Sequence, residues 1–418
     1  MVINRVNLSS TYQKTIETCL SSLSFLKTPS YVYNYDQLVE NLSIFQNLTT
    51  RYNLSVHYAV KSNNNKTILK IINEMGLGFD VNSGGELEKV LSIGVSPEKI
   101  TFAGVGKTDE EIRLGIKSQV GLIKVESYDE IRVISDIADE LKIKANIGLR
   151  LNPNIDAKTH PYISTGLSTS KFGIDARELN DVLIVIKKND FIELAGLDAH
   201  IGSQISDLGL YLEVFQFLKE TADTLNKDGF KVTELDLGGG FGINYDGSGQ
   251  STIGLLDQLF SKLHQLNQNK YKILIEPGRS VIANTCIILS KVLYIKTNGE
   301  KKFAVLDASM TENIRPALYE AVHPIVNLTP SNNNQDTEIY DVVGPVCETG
   351  DYLAQNMEIQ KLKRGDWVAI LDSGAYTSVM ASNYNMRPFS PEYLVRNNQI
   401  EMIRKPQTLT DLVNGLDD

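Results

Sequence analysis

The chain reads as an α/β protein: a (β/α)8 barrel of the TIM type, followed by a mostly β domain that the N-terminal segment joins. Three observations predict this. Short apolar runs alternate with amphipathic, helix-period stretches across the first two-thirds of the chain. Residues that carry chemistry fall directly after those runs, where the carboxyl ends of barrel strands would place them. From about residue 290 the helical period fades and β-type segments take over. An open doubly wound sheet shares the strand–helix alternation, and strand count alone does not exclude it. The clustering at strand ends played no part in choosing the strands, so it favours the barrel.

In chain order, the first 35 residues hold a helix-period stretch over 11–26 and a strand candidate at Tyr31-Val32-Tyr33. Strand candidates then fall at 55–60, 78–83, 100–104, 122–127, 146–152, 194–201, 234–240 and 272–277. Between them, Ile68, Ile71, Ile72 and Met75 have the i, i+3, i+4, i+7 spacing of one helix face. Ile131, Ile134, Ile137 and Leu141 form a second stripe, and Leu210, Val214, Phe217, Leu218 and Leu225 a third. Eight strands, each with a helix after it, in about 230 residues match the size of a barrel. Later β segments are 302–308, 339–343, 366–372 and the pair 393–396 and 399–403, joined by Asn397-Asn398. The expected division is 36–282 for the barrel, and 1–35 with 283–418 for the β-rich domain.

The 418 residues are 42% hydrophobic and 22% charged, an ordinary globular profile with ample core. A net charge of −10 argues against nonspecific nucleic-acid or anionic-membrane partners. Cys19, Cys286 and Cys347 are too few and too widely spaced for a disulfide framework or a zinc site. A reducing cytoplasm is the simplest compartment. The start, Met1 to Asn7, has no apolar signal region, and no apolar run approaches the length of a membrane span. Ser331-Asn332-Asn333-Asn334-Gln335 reads as an exposed loop.

Lys61 follows the first barrel strand. Desolvating a lysine at the end of a buried strand lowers its pKa and frees the amine to attack a carbonyl; the alternative is a lysine that snorkels to the surface. Gly238-Gly239-Gly240-Phe241-Gly242 ends the seventh strand and lets backbone N–H groups approach an anion, or else makes a tight turn. With Gly278 after the next strand, two glycine turns on adjacent strands match a known phosphate site. The spacing is not that of a dinucleotide fingerprint. Glu276 ends the eighth strand, where it would pair either with a pyridine nitrogen or with Arg279. His200 ends the sixth, placed to stack on a ring. Amine, imidazole, phosphate cradle and carboxylate are together what a pyridoxal 5′-phosphate site needs.

The β domain adds Cys347-Glu348-Thr349-Gly350-Asp351, a cysteine beside two acids, either a proton donor or a buried inert thiol. Arg315-Pro316-Ala317-Leu318-Tyr319 offers an arginine suited to gripping a carboxylate. Tyr376 and Arg387 lie in further turns.

These motifs resemble one family, the fold-type III pyridoxal phosphate decarboxylases. The resemblance runs from about residue 29 to 405. It is carried by Tyr58-Ala59-Val60-Lys61-Ser62-Asn63, Asp80-Val81-Asn82-Ser83-Gly84-Gly85-Glu86-Leu87, Phe102-Ala103-Gly104-Val105-Gly106-Lys107, Ser170-Lys171-Phe172-Gly173 and His200-Ile201-Gly202-Ser203-Gln204, besides the motifs above. It departs only in detail, with Ser62 where alanine is common and Phe241 where leucine is.

The resemblance implies that Lys61 holds the cofactor, His200 stacks on it and Glu276 meets its ring nitrogen. Ser203, Gly238, Gly239, Gly240, Gly278, Arg279 and Tyr376 complete its binding. Cys347 donates a proton after CO2 leaves. Arg279, Arg315, Tyr319, Glu348 and Tyr376 bind substrate. It also implies a homodimer with shared active sites, the β domain completing both site and interface. The expected reaction is decarboxylation of meso-2,6-diaminopimelate to L-lysine, the last step of lysine biosynthesis. The alternative is a sister decarboxylase of ornithine, arginine or a polyamine precursor. Those substrates lack a second carboxylate and would leave Arg315 without a partner. A racemase leaves Cys347-Glu348 unexplained. A non-catalytic relative would be expected to lose Lys61 or Cys347, and a cofactor carrier would not need a substrate grip.

Overall fold

The computed structural model describes residues 10–22, 25–155, 171–245, 252–329 and 336–415. Ser170 and the Asn-rich stretch 331–335 lie outside the described residues. The chain separates into two units. One is built from the residues up to Asn41, from Asn244 and Tyr245, and from Val281 onward; the other from Leu42 to Ile243 and on to Ser280. Among the described residues no helix is long and apolar enough to cross a membrane.

The N-terminal helix Ser10–Ser21 is shorter than the predicted 11–26, and β1 (Ser30–Asn34) follows it. The barrel comes next: β2 (Leu54–Ala59), β3 (Gly78–Val81), β4 (Ile100–Phe102), β5 (Leu122–Val125), β6 (Ala145–Arg150), β7 (Ile192–Asp198), β8 (Glu234–Asp236) and β9 (Lys272–Ile275). All eight are parallel, and β9 pairs back onto β2 with Leu54 opposite Ile273 to close the ring. The open doubly wound alternative is thereby excluded.

Local chemistry explains the helices. Ile68, Leu69, Ile71 and Ile72 are buried along the helix Lys66–Glu74, whose N-cap Asn65 accepts the Thr67 N–H at 2.9 Å. Ile131, Ile134 and Ile137 are buried on the helix Tyr128–Leu141, capped by Ser127. Burying each such side chain contributes about 1.5–3 kcal/mol.

Among the described residues, the other unit is built on a sheet of nine strands. To β1 it adds β10 (Cys286–Asn298), β11 (Lys301–Leu306), β12 (Ile325–Asn327), β13 (Thr337–Val343), β14 (Tyr352–Gln360), β15 (Trp367–Ile370), β16 (Glu392–Arg396) and β17 (Gln399–Arg404). β1 lies between β10 and β16, antiparallel to the first and parallel to the second. Ile16 and Cys19 of the N-terminal helix pack with Val32, Ile287, Leu289 and Ala369 in this unit's core. The N-terminal segment is therefore integral to the β sheet. The sequence reading missed β10, β12 and β14.

Candidate active site

The carboxyl ends of the barrel strands carry most of the candidate residues. β2 stops at Ala59, and Val60–Ser62 form a 3-10 turn. Ser62 Oγ donates to the Ala59 carbonyl (2.8 Å) and to Tyr58 Oη (2.9 Å), which locks the turn. Lys61 is exposed. The expectation of a desolvated strand-end lysine is corrected here, because the turn lifts the amine out of the core. Its claim to reactivity rests on position.

His200 lies two residues past β7 and is half-buried. Its Nδ1 accepts the Gly239 N–H at 3.2 Å, so the neutral ring carries its proton on Nε2. Burial first, then the cations of Lys61, Arg150 and Lys124, hold its pKa well below the usual range. Gly238 has φ +67°, and a Cβ there would overlap His200. A Cβ on Gly239 would overlap the Glu276 carbonyl. The glycine run is thus what lets the ends of β7, β8 and β9 close together. Tyr211 Oη donates to the Gly239 carbonyl (2.8 Å), and Phe241 stacks on the Tyr211 ring with centroids 4.8 Å apart. Gly278 packs against Ser62 and Ala59 at the end of β2.

Glu276 does not pair with Arg279. Arg279 instead donates to Ser203 Oγ from Nη2 (3.1 Å) and Nε (3.3 Å). Glu276 Oε1 accepts from Lys124 Nζ at 2.6 Å. Lys124, on β5, also contacts Asp198 Oδ1 (2.9 Å) and Asp236 Oδ2 (2.6 Å). Burial alone would lower the Lys124 pKa, but Asp198, Asp236, Glu276 and Asp80 outweigh it and hold the ammonium. Burial, followed by repulsion from Asp236 and Asp80, pushes Glu276 well up. Burial, opposed by Lys124, takes Asp236 to about 6. Nearby, burial and Asp80 lift Glu86 to about 7, although its Oε2 accepts the Asn82 N–H at 2.7 Å.

Sequence reasoning missed Lys124, Arg150, Asp198 and Asp236, and gave no role to Asp80 and Glu86, although both stand in a motif quoted above. One signal was available: strand candidates that carry a charged residue near the carboxyl end, where an ordinary core strand is apolar.

In the β unit, Arg315 opens the helix Arg315–Tyr319 and is 4% exposed. Its Nη1 donates to His323 Nε2 (2.8 Å), whose Nδ1 donates to the Leu371 carbonyl (2.9 Å). The guanidinium lies over the Tyr245 ring at 4.8 Å. A cleft of about 700 Å³ in this unit is lined by Pro316, Ala317, His323, Thr349, Gly350 and Tyr352. Cys347 is exposed, which removes the buried inert reading; its N–H donates to Asn385 Oδ1 (2.8 Å). Glu348 is also exposed, and Tyr384 Oη donates to it at 3.4 Å. Asp351 is buried and accepts the Met310 (2.7 Å) and Val346 (2.9 Å) N–H groups, so it shapes the loop. Arg387 donates to the Asp307 carbonyl (2.6 Å). Tyr376 sits at φ +57° just past β15.

A barrel that gathers an amine, a neutral imidazole, a glycine turn and a buried carboxylate at its strand ends has the construction of a pyridoxal-dependent enzyme. The family model for the pyridoxal-dependent decarboxylase, pyridoxal binding domain, matches residues 35–283. The diaminopimelate decarboxylase of Aquifex aeolicus is 39% identical over 391 residues, covering 92% of this chain and 91% of the relative. That of Haemophilus influenzae is 40% identical, covering 92% of each. The crystal structure of diaminopimelate decarboxylase from Helicobacter pylori complexed with L-lysine superposes with a TM-score of 0.89 at 37% identity, covering 94% of this chain and 98% of that one. The M. jannaschii enzyme in co-complex with L-lysine gives 0.87 at 33%, covering 96% and 94%. The chain belongs to the pyridoxal-dependent decarboxylases and, within them, to the diaminopimelate decarboxylase family. A viral arginine decarboxylase shares the fold at a TM-score of 0.78 and 22% identity.

Proposed function

We propose that this chain decarboxylates meso-2,6-diaminopimelate to L-lysine and CO2 with pyridoxal 5′-phosphate as cofactor. The observation that carries the reading is the convergence of Lys61, His200, Gly238–Gly240 and Glu276 on the strand ends of one barrel in a chain of this family. The donor set suits the cofactor. Asp198, Asp236 and Glu276 face one ammonium, an excess of carboxylate that favours one more positive charge, such as a protonated pyridine nitrogen. In the glycine turn the Gly238 and Gly239 N–H groups already donate to Asp236 and His200, so a phosphate would meet this turn at Gly240. When bound, the cofactor takes up the electron pair left at the substrate Cα as CO2 departs.

The chain's own groups do the rest. Lys61 presents its amine to the cofactor aldehyde. Neutral His200, its Nδ1 fixed by the Gly239 N–H, offers a flat face without adding charge. Glu276 holds the ring nitrogen, and Ser203, Gly278, Arg279 and Tyr376 assist at the phosphate. Arg315, fixed by His323 and Tyr245, grips the distal carboxylate with Tyr319, and Glu348 takes the distal amine. Holding the far end orients the scissile bond. Cys347 returns a proton to Cα. The exposed Cys347–Glu348 loop supports a homodimer in which each subunit lends these two residues to the other's site. Three unpaired cysteines suit a reducing cytoplasm.

The test is CO2 release by the purified protein with cofactor, offering meso-diaminopimelate, ornithine, arginine and lysine separately. Release from meso-diaminopimelate alone is expected. Release from ornithine or arginine would keep the cofactor chemistry and remove Arg315, Tyr319 and Glu348 from the substrate grip.

A further inference from the structure

The charged cluster inside the barrel contains more than the reaction above uses. Lys124 is the third residue of β5, and its side chain is 1% exposed. Its Nζ faces Asp198 Oδ1 at 2.9 Å, Asp236 Oδ2 at 2.6 Å and Glu276 Oε1 at 2.6 Å. An ammonium has three N–H donors, and here three carboxylates surround it. Those acids end β7, end β8 and follow β9, with oxygens within 4.8 Å of one another.

Each acid leads to a different part of the site. Asp236 Oδ1 accepts the Gly238 N–H (2.8 Å), the first amide of the glycine turn. Asp198 Oδ2 faces Arg150 Nε at 3.6 Å. Arg150 Nη1 donates to Glu126 Oε1 (2.8 Å), and Glu126 Oε2 accepts the Gly173 N–H (3.0 Å). Glu276 is the carboxylate assigned to the ring nitrogen. A buried carboxyl group without a cation stays neutral and is free to rotate. In that form it does not hold a pyridinium. Lys124 is the cation in direct contact with Glu276, and its backbone belongs to a barrel strand, so it supplies both charge and aim.

We propose that Lys124 is a positioning residue for the cofactor ring. It favours the ionised form of Glu276, aims that group at the ring nitrogen and, through Asp236, ties it to the Gly238 turn. The proposal rests on the reading of Glu276 above.

The test compares two ligands on the full-length protein freed of cofactor by dialysis: pyridoxal phosphate, and its analogue with C–H in place of the ring nitrogen. The readout is the ratio of their dissociation constants. A charge-assisted contact to the ring nitrogen predicts that the wild type favours pyridoxal phosphate by roughly 10- to 150-fold. Glu276→Gln should bring the ratio near one. Lys124→Met and Lys124→Gln should do the same, and Lys124→Gln/Glu276→Gln should lose no more than Glu276→Gln alone. Lys124→Gln retains an amide donor and most of the volume. Should the single variants not fold, Lys124→Gln/Asp198→Asn removes one charge of each sign and carries the test, again with a ratio near one expected.

No discrimination by the wild type overturns the Glu276 reading, and the proposal with it. Discrimination by the wild type that disappears in Glu276→Gln but persists in the Lys124 variants, with both ligands weakened equally, leaves the Glu276 reading standing. That outcome overturns the proposal, since it reduces Lys124 to a support of the fold.

Discussion

The strand ends of the barrel and the loops of the β unit both carry candidate chemistry, but they hold it differently. Lys124, Asp198 and Asp236 are each 1% exposed and locked to one another, while Cys347 and Glu348 stand on an exposed loop. The barrel groups are fixed by backbone at strand ends and by charge pairing inside one unit. The loop groups have no such enclosure, and a cysteine open to water gains the surroundings of a proton donor only when another surface covers it. Arg315 lies between these extremes, buried in the β unit and held by His323 and Tyr245. On the proposed reading, most of the cofactor-binding groups belong to the enclosed barrel cluster, and Tyr376, the substrate grip and the proton donor belong to the β unit.

The sharpest way to break this comparison is Lys61→Ala. Turnover and the visible absorbance of the bound cofactor should disappear together, with barrel folding intact by circular dichroism. A variant that keeps the absorbance band would remove Lys61 from its role. Next in size is Cys347→Ala, expected to lower turnover about 10²- to 10⁴-fold, the usual contribution of a general acid. Its cofactor affinity should equal that of the wild type. Unchanged turnover would reassign the proton donor. Arg315→Ala should raise KM for meso-diaminopimelate and spare cofactor binding, because a lost charge-assisted pair costs about 1.5–3 kcal/mol. A normal KM would place Arg315 outside the substrate site.

The last prediction concerns stability, not turnover. His57 is buried, with Nδ1 2.7 Å from Thr101 Oγ1. Burial, then the cations of Lys272, Lys124 and Lys99, lowers its pKa to about 3. The unfolded chain therefore binds this proton more readily. The stabilisation is complete above about pH 6.5 and is lost as pH falls toward 3, with a ceiling of roughly 5 kcal/mol. Urea unfolding at pH 7 and pH 4.5 should show a smaller pH loss for His57→Gln than for the wild type. Equal losses would show that His57 is not the group responsible.

Much of the fold was legible in the sequence because its signals are local. Each of the eight barrel strands overlaps an apolar run of the sequence, and the helices match stripes such as Ile131, Ile134 and Ile137. Strand ends were read less well. The candidates 194–201 and 234–240 ran on past Asp198 and Asp236 into the loops that carry His200 and the glycines. β10 was missed altogether: its outer half is largely exposed, and its inner half pairs with β1, more than 250 residues away in the chain. In the site, Lys61, His200, Gly238–Gly240 and Glu276 stood out by motif. Lys124 did not, because a single lysine in a short apolar strand has no distinctive neighbours in sequence.

The sequence by itself determined the alternation of strand and helix, the family and the motifs that end the strands, since periodicity, turn chemistry and residue type are properties of adjacent residues. Tertiary structure alone decided which charges meet. It turned Lys61 out of the core, gave Arg279 to Ser203 instead of Glu276, and brought Lys124 from β5 against acids at the ends of three other strands. The physical reason is that electrostatic partnership depends on distance and burial, and closing the barrel sets both for residues up to 152 positions apart.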